Sequence, residues 1–139
     1  MVAIAERLAK VLIIDDNDID AMVCSKVFKK CAPQVEIEVN HGAKEALDNL
    51  NLTLKNNPED LPDLIILDLY MPLMNGWYFL DEYAKIAPKI DKRIKILVAS
   101  CTSYDKDLHQ IMNYKEIDGY ISKPFSLEKI KSIQEKYFT

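Results

Sequence analysis

A chain of 139 residues, 49% hydrophobic and 29% charged, has the make-up of one soluble globular domain, burying roughly two-thirds of its unfolded surface. A net charge of −4 offers no basic footprint for nucleic acid, and no apolar run approaches the ~20 residues that cross a bilayer. The opening "MVAIAERLAK" contains Glu6 and lacks the apolar core of a secretion signal, and Cys24, Cys31 and Cys101 form no CxxC pair. Together these features predict a cytoplasmic protein with reduced thiols.

Strand-like and helix-like patterns alternate five times. "KVLIID", Lys10 to Asp15, is an apolar run, followed by Ile19, Met22, Val23, Val27 and Cys31 at helical spacing. "VEIEVN", Val35 to Asn40, alternates with period two, and its glutamates suit an edge strand. Ala43, Ala46, Leu47, Leu50 and Leu54 make the second helical stripe. In "PDLIILDLYMPLMNGW" the aliphatics Leu64 to Leu67 read as a strand buried on both faces, and Pro72 and Gly76 as a loop entering a helix. That helix carries Trp77, Leu80, Tyr83 and Ala87. "IKILVAS", Ile94 to Ser100, is the fourth strand, and a weaker helix covers about 105–114. Gly119 to Ser122 is a short fifth strand, and Leu127, Ile130, Ile133 and Tyr137 mark a last helix with Ser126 as its N-cap. Five such units imply an α/β fold, a doubly wound parallel sheet with helices on both faces, as a single domain over residues 1–139.

Polar residues gather at the strand ends. Asp15 and Asp16 close the first strand, Asp68 the third and Ser100 the fourth, and Lys123 follows the fifth. In a doubly wound sheet those ends share one rim, where such folds place their ligands. Three carboxylates brought together repel one another unless a cation sits among them. Few hard oxygen donors, completed by water, suit Mg2+. Lysine supplies a mobile positive charge, and a serine hydroxyl donates to the same oxygens. A carboxylate so surrounded is equipped to accept a phosphoryl group as an acyl phosphate.

Blander readings exist for the single residues. Asp16 or Asn17 can simply cap the first helix, but capping explains neither Asp68 nor Lys123. "DNDID" lacks the glycine and the final glutamate of a calcium loop. An aspartate-nucleophile phosphatase of the haloacid dehalogenase type wants a second aspartate where Tyr70 stands. With only three glycines there is no glycine-rich loop to cradle a nucleotide, as a flavodoxin-like binding module requires.

Four motifs in order carry a family resemblance: "LIIDD", "LIILDLYMPLMNG", "ILVAS" and "GYISKPF". From about Lys10 to Tyr137 the chain resembles the receiver domain of two-component response regulators, specifically single-domain members similar to the chemotaxis regulator. The resemblance implies the flavodoxin-like strand order 2-1-3-4-5 with five helices. It implies that Asp68 takes a phosphoryl group from a sensor histidine kinase or phosphotransfer protein. Asp16, Asp68 and the Tyr70 carbonyl then hold Mg2+, with Asp15 acting through water. Ser100 and Lys123 bind the phosphoryl oxygens, and Tyr120 is the aromatic that turns inward. The bond before Pro124 is usually cis in the family. The resemblance makes the chain no enzyme beyond its own phosphorylation and dephosphorylation. With the chain closing soon after the fifth helix, output is expected through a partner protein. That target would dock on the face of the fourth helix, fifth strand and fifth helix, including Tyr114, Tyr120 and Lys129, without nucleic acid or membrane. Tyr70 and Cys101 depart from the smaller residues common at their positions. The Tyr70 ring is expected to border the path of attacking water and to lengthen the phosphoryl lifetime.

Overall fold

The computed structural model describes residues 8–69, 71, 75–100, 109–111 and 113–138. Five strands, β1 (Lys10–Ile14), β2 (Glu36–Asn40), β3 (Leu64–Asp68), β4 (Lys95–Ser100) and β5 (Ile117–Ser122), form one sheet in the order β2-β1-β3-β4-β5. Every neighbouring pair is parallel. β3 lies in the middle and is buried along its whole length, as its unbroken aliphatic run requires. Alternate side chains serve opposite layers. Ile65 and Leu67 join one core with Leu12, Ile14, Ile96 and Val98, while Leu64 and Ile66 join the other with Val11, Ile13, Leu97 and Ala99.

Four α-helices among the described residues cover these faces: α1 (Asp18–Cys31), α2 (Ala43–Asn56), α3 (Gly76–Ile86) and α4 (Leu127–Phe138). Leu47 and Leu50 of α2 pack with Phe79 and Leu80 of α3 on the first face. Phe28 of α1 and Ile130 of α4 pack on the second. The helix expected over 105–114 lies largely outside the described residues, which show helical backbone at 109–111. Pro72, Cys101 and Tyr70 also lie outside them.

The phase of α1 corrects the stripe read from sequence. Ala21, Cys24 and Phe28 face the sheet, whereas Ile19 is 68% and Met22 49% exposed. Val23, Val27 and Cys31 only flank the core. The helix has more apolar positions than one face can hold, and seating the large Phe28 ring decides which are buried. Burial also pushes the Cys24 thiol up, so it is an inert core group.

β5 begins at Ile117, before the expected Gly119. A register shift between Ile96 and Leu97 leaves Asp118 as the extra residue, and its Oδ2 accepts the Ile96 N–H at 2.9 Å. This carboxylate replaces the ladder bond that the shift removes. β2 does lie at a sheet edge, with Glu36 exposed and Ile37 and Val39 leaning on the α1 layer.

Candidate functional site: an acidic rim with one lysine

Each expected residue stands at a carboxyl end of the sheet because an apolar strand stops there. Asp15 follows β1, and its N–H donates to the Asn40 carbonyl at 3.0 Å, which fixes the strand end. Asp68 and Ser100 are the last residues of β3 and β4, and both are buried. Lys123 follows β5, its N–H donating to the Ser100 carbonyl at 2.9 Å, and the bond to Pro124 is cis as expected. Residues from four strands thus meet on one rim.

Asp15, Asp16 and Asp68 each place a carboxylate oxygen within 4.8 Å of the others. Asp15 and Asp68 are buried and Asp16 is exposed, so the cluster has an inner wall and an open side. Hard oxygen donors at that spacing fit a small divalent cation such as Mg2+. Gly76 keeps the floor tight. A Cβ there would come 2.7 Å from the Asp68 carbonyl oxygen and 2.8 Å from the Leu69 Cα, so no larger residue fits without moving backbone.

The ammonium of Lys123 lies among the acids. Its Nζ donates to Asp15 Oδ2 at 2.9 Å and to Asp20 Oδ2 at 2.9 Å, and stands 3.5 Å from Asp68 Oδ2. Burial alone would push its pKa down. The hydrogen bonds to Asp15 and Asp20 and the charges of Asp68 and Asp15 outweigh burial and hold it above the ordinary lysine range.

Sequence pattern alone does not mark Asp20, although it stands one helical turn beyond Asp16. Asn17 caps α1, its Oδ1 accepting from Ile19 N and Asp20 N at 3.0 Å each, which sets Asp20 in the first turn. The Tyr120 hydroxyl donates to the Ser100 carbonyl at 3.4 Å, and its half-buried ring packs on the α2–α3 core. Tyr114 donates to Asp81 at 2.7 Å and tilts against Trp77, 6.0 Å between ring centres. Lys129 donates to the Ser122 and Pro124 carbonyls at 3.0 and 2.9 Å, tying α4 to the end of β5. It also lines a groove of about 330 Å3 with Tyr120, Lys136 and Tyr137.

The strand order defines a flavodoxin-like α/β domain with an acidic rim at the carboxyl ends of its strands. The model of the response regulator receiver domain matches residues 11–135, and the chain belongs to that family. Sporulation initiation phosphotransferase F of Bacillus subtilis is 29% identical over 92% of this chain and 92% of its own. The probable C4-dicarboxylate response regulator DctR of the same organism is 32% identical over 96% of this chain, which spans about half (54%) of that regulator. The fold matches a two-component response regulator from Cytophaga hutchinsonii with TM-score 0.83 and 22% identity, covering 95% and 98% of the two chains. It also matches the phosphorylated cyanobacterial phytochrome response regulator RcpA, with TM-score 0.76, 25% identity and 93% of each chain covered. The chain is therefore a signalling module of two-component phosphorelays. Such modules deal with histidine kinases or phosphotransfer proteins and with downstream targets, and they bind Mg2+ at an acidic pocket. No helix among the described residues is long and apolar enough to cross a membrane.

Proposed function

We propose that Asp68 is the phosphoacceptor of a Mg2+-dependent switch, and that residues 1–139 fold as one receiver domain. The observation that carries this reading is the convergence of three carboxylates and one buried ammonium at the ends of three strands, β1, β3 and β5. Asp16, Asp68 and the Tyr70 carbonyl would hold the metal, with Asp15 acting through water. Bound Mg2+ would offset carboxylate repulsion and the charge developing on the phosphoryl oxygens. An Asp68 carboxylate oxygen attacks phosphorus of a phosphohistidine; the phosphorus–nitrogen bond breaks, and the imidazole nitrogen keeps the electron pair and takes up a proton. Lys123 and the Ser100 hydroxyl receive the phosphoryl oxygens.

Signalling follows from charge. An aspartyl phosphate adds roughly −1.5 to −2 at pH 7 and draws Ser100 and Lys123 towards it. The Ser100 carbonyl is bonded to Lys123 N–H and to the Tyr120 hydroxyl, so its movement releases or re-aims the Tyr120 ring. The face of β5 and α4, with Tyr114 beside it, then presents a different surface to the target. The test is intact mass after treatment with acetyl phosphate and Mg2+. A gain of one phosphoryl group by the parent and none by Asp68→Asn is expected; equal gain by both would move the chemistry elsewhere.

A further inference from the structure

A closed ring of hydrogen bonds ties Lys123 to the first turn of α1. Asp15 Oδ1 accepts from Asn17 N–H at 2.9 Å, and Asn17 Oδ1 accepts from Asp20 N–H at 3.0 Å. The ring closes through the Lys123 ammonium, which donates to Asp20 Oδ2 and to Asp15 Oδ2, both at 2.9 Å. An ammonium has three N–H groups in a tetrahedral array. Asp15 and Asp20 hold two of them, which leaves the third for the side of Asp68, 3.5 Å away.

We propose that Asp20 is the positioning residue for Lys123. It holds the ammonium at ion-pair distance from Asp68 instead of in a close hydrogen bond. Asp68 thereby keeps its nucleophilic charge, and the third N–H points to where a phosphoryl oxygen arrives. The proposal rests on the reading of Asp68 as phosphoacceptor.

Two other roles for Asp20 make different expectations. An acid in the first turn favours the helix dipole, a surface effect that involves no lysine. An added negative charge near the rim would repel an anionic donor, so that neutralising it would speed labelling. The Asp20 side chain is 34% exposed, so its field at a distance is screened, while its contact with Lys123 at 2.9 Å is direct. The contact is therefore the stronger effect.

The experiment compares Asp20→Ala and Asp20→Asn, in the parent and in a Lys123→Ala background, by labelling with acetyl phosphate at saturating Mg2+. Asp20→Ala should slow labelling about fivefold, the loss of one part-exposed hydrogen bond to a charged group. Asp20→Asn keeps an acceptor oxygen and should recover most of the rate. Neither change should matter once Lys123 is gone. In metal-free protein labelled with 15N at the lysine ammonium, the Lys123 signal should exchange slowly in the parent and in Asp20→Asn, and be lost in Asp20→Ala. Equal rates for parent and Asp20→Ala, faster labelling by Asp20→Asn, or the same slowing without Lys123 would each overturn the proposal. A parent that takes no label would overturn the Asp68 reading with it, whereas loss of label confined to Asp68→Asn leaves that reading standing whatever Asp20 does.

Discussion

Carboxylates meet cations at both ends of the sheet, and the two ends balance their charge differently. At the amino end, Asp63 accepts from Ala9 N and Lys10 N at 2.9 Å each and pairs with Lys92 at 2.6 Å. Asp118 accepts from Ile96 N at 2.9 Å and pairs with Arg93 at 2.6 Å. Asp63 and Asp118 each have their own cation and their own backbone donor, as in a structural ion pair. At the carboxyl end, among the described residues, Asp15, Asp20 and Asp68 surround Lys123, and Asp16 stands beside Asp15 and Asp68. Acids that share one cation keep an unmet demand for positive charge. That excess, more than the presence of acids as such, marks the carboxyl end as the working one.

Asp118 is where the amino end is most open to disruption. Asp118→Ala strands the Ile96 N–H and frees Arg93, so it should lower unfolding free energy by about 2 kcal/mol in urea titrations. The folded fraction should still label at the parental rate. Slowed labelling of fully folded Asp118→Ala would mean the two ends are coupled.

Removing an acid from the crowded end should act on metal instead. Asp16→Ala should weaken Mg2+ binding by about tenfold, or ~1.4 kcal/mol. Trp77 lies in the first turn of α3 beside Gly76, where even a Cβ would meet the Asp68 carbonyl, so its fluorescence can report the titration. An unchanged midpoint removes Asp16 from the coordination shell.

Stability should also move in the opposite sense at the two ends. In metal-free buffer, Asp68→Asn relieves repulsion and should stabilise the fold by about 1 kcal/mol, a gain that disappears as Mg2+ saturates the parent. Destabilisation by Asp68→Asn in metal-free buffer would show that the rim is balanced after all.

The smallest effect is alkaline. The Tyr83 phenol is pushed up to about 12, chiefly by burial, with Arg93 opposing and Glu116 and Asp118 assisting. A group whose pKa is raised in the fold contributes stability in full below its unfolded value and loses it as pH rises through the folded one. Stability should thus hold up to the ordinary tyrosine value of 10.0 and decline towards 12. Tyr83→Phe should blunt that decline, and an identical decline in the variant would assign it to other groups.

The strand ends were legible in the sequence because long apolar runs stop abruptly at Asp15, Asp68 and Ser100, and burial forces such runs into a central sheet. The phase of α1 was not, since Ile19 and Met22 are as apolar as the residues that Phe28 draws inward. Nor was Asp20, one of several acids in "DDNDID", because its lysine lies more than a hundred positions away in the chain. The start of β5 escaped for a local reason: the bulge at Asp118 breaks the alternation that marks a strand. The ion pairs of Asp63 and Asp118 follow no periodicity and became visible only in the fold.

The central claim is that the carboxyl-end excess of acids serves one nucleophile, Asp68. Borohydride reduces an aspartyl phosphate to homoserine, so reduction of the acetyl phosphate-treated protein followed by peptide mapping reads the acceptor directly. Homoserine at position 68, dependent on Mg2+, is the expected result. Homoserine at 15, 16 or 20, or at no acid of this rim, would contradict the account.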